Sequence, residues 1–152
     1  MKKIIILSVL TLFLTNIARS QAAVFFEVGG PGLASFNFDT RFTGRNDGIG
    51  GRIGIGGFRI DDEGAIFVPT GINYLIGKDT KHFFEVGAGF TYVDYTDADD
   101  DGILTTNFGH LTFGYRMQPK TQGFSFRAAI VPIFNRHGFL PYYAGVSVGF
   151  KF

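Results

Sequence analysis

Tyr142-Tyr143-Ala144-Gly145-Val146-Ser147-Val148-Gly149-Phe150-Lys151-Phe152 alternates without a break. Tyr142, Ala144, Val146, Val148, Phe150 and Phe152 share one face. Tyr143, Gly145, Ser147, Gly149 and Lys151 share the other. A period of two is the signature of an extended strand whose faces meet different surroundings. One face is apolar, and the other is small or polar.

The same dyad recurs upstream. Ala34, Phe36, Phe38 and Phe42 oppose Ser35, Asn37, Asp39 and Arg41. Phe84, Val86, Ala88, Phe90 and Tyr92 oppose Glu85, Gly87, Gly89 and Thr91. Phe124, Phe126, Ala128 and Ile130 oppose Ser125, Arg127 and Ala129. A soluble sandwich or lipocalin-like barrel would turn its apolar face inward and its charges to water. Here the polar face is Gly- and Ser-rich with isolated charges of both signs, while the other carries the phenylalanines. That is the inside-out pattern of a membrane barrel.

Turn-forming residues divide the chain into eight expected strands, near 23–30, 33–42, 49–60, 65–76, 82–93, 103–116, 123–134 and 141–152. Each is about ten residues, enough to cross a bilayer at the usual tilt. Gly29–Gly32 reads as a turn; as a kink it would leave seven strands and break the even parity of bacterial barrels. Pro69 and Pro132 fall inside expected strands although proline cannot donate to a ladder. The fold expected is all-β: an antiparallel transmembrane β-barrel of about eight strands.

Residues 1–22 read as a cleaved signal peptide and 23–152 as the barrel domain. Lys2 and Lys3 form a charged start, Ile4–Leu14 is an apolar run, and Ala18, Ser20 and Ala22 supply small residues. Cleavage after Ser20 and cleavage after Ala22 both satisfy the small-residue rule. The apolar run is shorter than the ~20 residues of a membrane-spanning helix.

Composition agrees with this class. The 152 residues include 22 Gly, 19 Phe and 6 Tyr, with no Trp and no Cys. Lack of cysteine excludes disulfides, thiolate metal sites and a thiol nucleophile. The formal charge is +1; without Lys2, Lys3 and Arg19, 11 basic residues face 13 acidic ones, a net −2. No basic tract remains to bind nucleic acid.

Signal peptide, dyad strands, aromatic lipid faces and Phe152 preceded by Phe150 resemble the OmpA/OmpX-like eight-stranded outer-membrane barrels. The resemblance is architectural and spans the expected barrel domain. It implies a monomer in the outer membrane of a Gram-negative bacterium, both termini periplasmic, in contact with membrane lipid and lipopolysaccharide. It also implies that Phe150 and Phe152 form the signal read by the outer-membrane assembly machinery.

The expected lumen network is Glu27, Asp39, Arg41, Arg52, Glu85, Arg116, Arg127 and Lys151, with His110 nearby. Mixed charges in a narrow, partly dry space should pair. No cofactor is expected beyond a weak calcium site at Asp97-Ala98-Asp99-Asp100-Asp101-Gly102-Ile103, which resembles the start of an EF-hand loop. Asp97, Asp99 and Asp101 would offer carboxylates and Ile103 a carbonyl. Phe108 stands where such a loop has its bidentate Glu, so a solvated acidic loop is the competing reading.

The barrel lipid A-modifying enzymes use a histidine with a serine and an acid. His110-Leu111-Thr112 is a poor imitation, and His82 and His137 read as interfacial or solvated, so no enzyme is expected. The function expected is a structural, envelope-integrity or surface-interaction role; the alternatives are a narrow porin-like channel for small solutes and, behind it, a lipid A-modifying barrel enzyme. On SDS gels the unboiled protein is expected to migrate apart from the boiled protein. Sensitivity of that shift to a chelator would mark the Asp97–Ile103 loop as a calcium site; insensitivity would leave it a solvated tip.

Overall fold

A computed structural model describes residues 21–60, 63–79, 81–96 and 102–152. The strands are β1 (Ala22–Gly29), β2 (Ala34–Arg41), β3 (Gly48–Ile60), β4 (Glu63–Ile76), β5 (His82–Tyr95), β6 (Phe108–Met117), β7 (Gly123–Ile130), β8 (Ile133–Asn135), β9 (Gly138–Leu140) and β10 (Ala144–Lys151). Every pairing is antiparallel. β5 pairs with β6 and β1 with β10, so the sheet closes on itself. β7 and β8 form one wall and β9 and β10 another, giving eight walls. The chain has the closed, eight-walled fold of a small outer-membrane barrel.

Closure answers a backbone problem. In hydrocarbon no water satisfies a free N–H or C=O, and only a helix or a sheet without edges leaves none exposed. The apolar face lies outward: Phe36, Phe84, Phe90, Tyr92, Phe124, Ile130, Val146 and Phe150 are all exposed on the barrel surface. Their sequence neighbours Ser35, Glu85, Thr91, Ser125, Ala129, Ser147 and Lys151 are buried inside.

Proline sets the irregularities. The β3–β4 ladder runs from Gly48↔Leu75 to Ile53↔Thr70 and resumes at Gly56↔Phe67, skipping the rungs opposite Val68 and Pro69. Pro132 separates β7 from β8, yet the wall continues, because the Leu111 N–H donates to the Pro132 carbonyl at 3.0 Å. Across from it, Pro141, Tyr142 and Tyr143 stand against only Val131 and Pro132. That extra residue is a bulge. It reverses the parity of the wall, so that Phe139 faces outward and Leu140 packs on the interior.

Two expected boundaries are therefore corrected. The segment expected as a turn over 135–140 is a hairpin, β8 and β9 joined by Arg136-His137, and the last wall starts at Gly138 before its bulge. The strand expected to begin at 103 begins at Phe108. Residues 102–107 turn on their own side chains: the Gly102 N–H donates to Thr105 Oγ1 at 2.6 Å and Thr106 Oγ1 donates to the Gly102 carbonyl at 3.0 Å. Hydroxyls that bond nearby backbone compete with the ladder.

Gly29–Leu33 is a turn, and it folds into the barrel. Gly29 (φ 73°), Gly30 (φ 65°) and Leu33 (φ 57°) adopt left-handed backbone, while Gly30, Pro31 and Gly32 are buried. Thr91 Oγ1 donates to the Pro31 carbonyl at 3.1 Å, and Leu33 packs on an apolar cluster of Ala65, Phe67, Val93, Phe108 and Ile133. At the opposite end, Asp79 accepts the His82 N–H at 2.7 Å and the Lys81 N–H at 3.1 Å, which holds its carboxyl below the usual range.

A Cβ at Gly30 would stand 2.7–2.9 Å from the Glu27 carboxylate atoms. Gly30→Ala is expected to cost about 1–2 kcal/mol through the left-handed backbone alone, and more through displacement of Glu27. The readout is the urea concentration at which the compact band on unboiled gels is lost.

Candidate functional site

The lumen is filled in three layers. The middle layer is an alternating chain of charges contributed by β1, β2, β3, β5, β6 and β7. Arg41 Nη2 lies 2.6 Å from Asp39 Oδ1, and Arg116 Nη2 lies 3.0 Å from the same oxygen. Arg116 Nη1 is 3.8 Å from Glu85 Oε2, and Arg127 Nε is 3.0 Å from it. Arg127 Nη1 is 3.3 Å from Glu27 Oε1, and the Glu27 carboxylate closes onto Arg52. The order is Arg41–Asp39–Arg116–Glu85–Arg127–Glu27–Arg52, with each carboxylate between two guanidinium groups.

The strands bring this order about. Arg116 and Arg127 sit directly opposite each other across β6 and β7. Like charges so placed repel, and Glu85, from the neighbouring β5, reaches both. Asn73 bridges the two halves: its Nδ2 donates to Asp39 Oδ2 at 2.6 Å and to Glu85 Oε1 at 3.3 Å, while its carbonyl accepts from Arg41. Asn37 Oδ1 accepts from Arg52 Nε at 3.0 Å and Nη2 at 2.8 Å. The Phe25 ring lies beneath both Arg52 and Arg127, 5.2 and 5.6 Å from their guanidinium carbons. All seven charged side chains are buried, Glu85 completely at 0% exposure.

Lys151 lies apart from this chain, at the end of the barrel where β1 begins and β10 ends. Its ammonium donates to the Pro119 carbonyl at 2.9 Å, the Lys120 carbonyl at 3.0 Å and Asn46 Oδ1. Gln118 Nε2 donates to the Asn46 carbonyl at 2.9 Å. Two turns, 42–47 and 118–122, are thereby drawn together across the mouth. A cleft of about 290 Å³ beside them is lined by residues including Gln21, Arg45, Asp47, Phe83 and Lys120. The third layer, at the opposite end, is the apolar cluster with the inturned Gly29–Leu33 segment. Leu104, Leu140 and Tyr143 complete its packing.

His110 and Thr112 both point into the lumen. His110 Nδ1 is 3.4 Å from Thr91 Oγ1, and the charged groups acting on the ring are Arg52 and Arg127. A nucleophile with a base and an orienting acid needs a carboxylate against the imidazole; among the described residues this ring meets the Thr91 hydroxyl and, edge-on at 6.4 Å, the Phe108 ring. His82 Nδ1 meets the Tyr115 hydroxyl at 2.5 Å on the outer surface. His137 accepts from Arg136 Nε at 2.7 Å at the exposed tip of β8–β9.

Asp97, Asp99 and Asp101 lie outside the described residues. The Ile103 carbonyl accepts from Asn135 Nδ2 at 3.1 Å. Among the described residues no three His, Cys, Asp or Glu side chains gather as metal ligands. Phe150 and Phe152 pair on the outer surface with ring centroids 5.8 Å apart.

The amides Asn37, Asn73 and Asn46 hold the charges in place. Asn37 lies in phase with Asp39 and is legible from the alternation, whereas nothing local marks Asn73 and Asn46. The interior aromatics Phe25, Phe67, Phe83 and Phe108 look no different in sequence from their lipid-facing neighbours.

No protein-family model matches the chain, and no curated protein matches it. Among solved structures, the N-terminal β-barrel domain of Pseudomonas aeruginosa OprF is similar, with a TM-score of 0.61. The match covers 88% of this chain and 96% of that one at 15% sequence identity. The likeness is one of fold.

Glu27 pairs with both Arg52 and Arg127, and among the described residues it is the carboxylate in an ion pair with Arg52, whereas Arg127 also meets Glu85. Glu27→Ala is expected to destabilise the barrel by about 3–5 kcal/mol, the usual cost of leaving a buried partner unpaired. Denaturant titration of the compact gel band measures it; a change below about 1 kcal/mol would mean water reaches these guanidinium groups.

Proposed function

We propose that this protein is a filled, integral outer-membrane barrel with a structural, envelope-integrity or surface-interaction role, delivered by a cleaved signal peptide. The single observation that carries the reading is the continuous alternation of charge from Arg41 to Arg52 across the lumen. A solute moving along the axis would have to separate these pairs, each of them desolvated. The Lys151 closure at one mouth and the inturned Gly29–Leu33 segment at the other support the same view.

On this reading both termini and the turns around Asn46, Asp79 and Lys120 face the periplasm. The taller β3–β5 rim faces outward. Outward aromatics contact lipid, and Arg136 on the outer rim meets lipopolysaccharide phosphates. The exposed Phe150–Phe152 pair is the segment presented to the assembly machinery. The barrel acts as a monomer without cofactor or catalytic chemistry.

Purified protein in planar bilayers is expected to give no stepwise conductance. A steady resolved channel from the wild-type barrel would overturn the filled interior and favour the narrow-channel reading. Lipid A mass spectra of cells carrying wild type and His110→Ala are expected to coincide; a species lost in the variant would make it an enzyme.

A further inference from the structure

We infer that the signal peptide is removed between Ser20 and Gln21, so that Gln21 is the first residue of the finished protein. The inference rests on the export reading above and goes beyond it by choosing between two cuts that the small-residue rule allows equally. Gln21 and Ala22 belong to the barrel wall. The Arg41 N–H donates to the Gln21 carbonyl at 3.1 Å, and the Phe152 N–H donates to the Ala22 carbonyl at 2.9 Å. Ala22 stands opposite Thr40 on β2, and is itself buried.

The second of those bonds joins the first residue of β1 to the residue that follows β10. It is the last rung of the β1–β10 seam, whose next pair is Ala23↔Lys151. A cut after Ala22 would remove both acceptors and leave the N–H groups of Arg41 and Phe152 without them at the barrel edge. It would also create a new α-ammonium on Ala23. That residue is buried at 1% exposure and stands opposite the equally buried Lys151. Two ammonium groups would then compete in a desolvated corner whose oxygens, on Asn46, Pro119 and Lys120, are engaged by Lys151. A cut after Ser20 puts the α-ammonium on Gln21, half-exposed beside the inner cleft. Cleavage precedes folding, so the barrel does not steer the peptidase. Of the two products, only the one starting at Gln21 keeps the acceptors of the Arg41 and Phe152 N–H groups.

A free N-terminal glutamine also has a chemical fate that alanine lacks. Its α-nitrogen attacks its own side-chain Cδ, the new C–N bond closes a five-membered lactam, and the amide nitrogen leaves as ammonia. The terminal charge disappears with it. This needs no oxidant or co-reactant.

The test is the intact mass of the full-length gene product, expressed in a Gram-negative host and purified from its outer membrane. The expected mass is that of a chain starting at Gln21, either whole or lighter by one ammonia. A mass starting at Ala23 would overturn this inference and leave the export reading standing. An uncleaved chain would overturn both. In parallel, chains engineered to begin at Gln21 and at Ala23 are compared by heating before electrophoresis. The Ala23 chain is expected to lose its compact band at a lower temperature; equal resistance would overturn the physical basis of the assignment.

Discussion

A charge inside an eight-walled barrel has almost no water to screen it, and the space is only wide enough for side chains to fill. Four guanidinium groups and three carboxylates occupy the middle of this lumen, so a stable arrangement must put every carboxylate between two cations. The sheet register does so. It places Asp39, Glu85 and Glu27 on β2, β5 and β1, which are not neighbours around the wall except for the first and last. Asp39 on β2 reaches Arg116 on β6, on the opposite side of the ring, while Glu27 and Glu85 each bridge walls that are not paired with one another. The network ties opposite walls together, a cross-bracing that ladder hydrogen bonds alone do not supply.

The two ends are closed by different physics. At the end where β1 begins and β10 ends, polar backbone is gathered around the Lys151 ammonium, whose partners are neutral oxygens. At the other end the contacts are apolar, and a strained turn is held inward by the Leu33 side chain and one hydroxyl from Thr91. Left-handed backbone at Leu33 carries a conformational cost that the surrounding packing must offset. The closure at the Lys151 end is electrostatic and the one at the Gly29–Leu33 end hydrophobic.

Legibility followed the strength of the alternation. Along β5 and β10 the two faces differ sharply, and Glu85 and Lys151 could be placed inward from the spacing alone. Along β4 they do not: Ala65, Phe67 and Leu75 line the inside while Ile66, Ile72 and Tyr74 line the outside. Apolar residues on both faces erase the period, and the interior cluster stayed hidden for that reason. Asn73 was hidden in the same strand, since nothing local distinguishes a bridging amide from a solvated one. The bulge at Pro141–Tyr143 was hidden too, because its parity change depends on what lies across the wall at Pro132. The pairing of Arg116 with Glu85 rather than another acid is likewise a matter of register between strands, which one strand's sequence does not contain.

The walls of this barrel are unequal. β1 and β2 have eight residues each, while β4 and β5 have fourteen. At about 3.3 Å per residue and a tilt near 45°, that is a rise of roughly 19 Å on one side and 33 Å on the other. The rim is therefore notched above β1 and β2, where the chain dips inward through Gly29–Leu33. An apolar belt of uneven height does not fit a bilayer of uniform thickness. In a bilayer such a barrel would lean, or the leaflet beside the notch would thin, at a cost of fractions of a kcal/mol per Å of mismatch. Either way, the β1–β2 side becomes the place where lipid is least well ordered around the molecule.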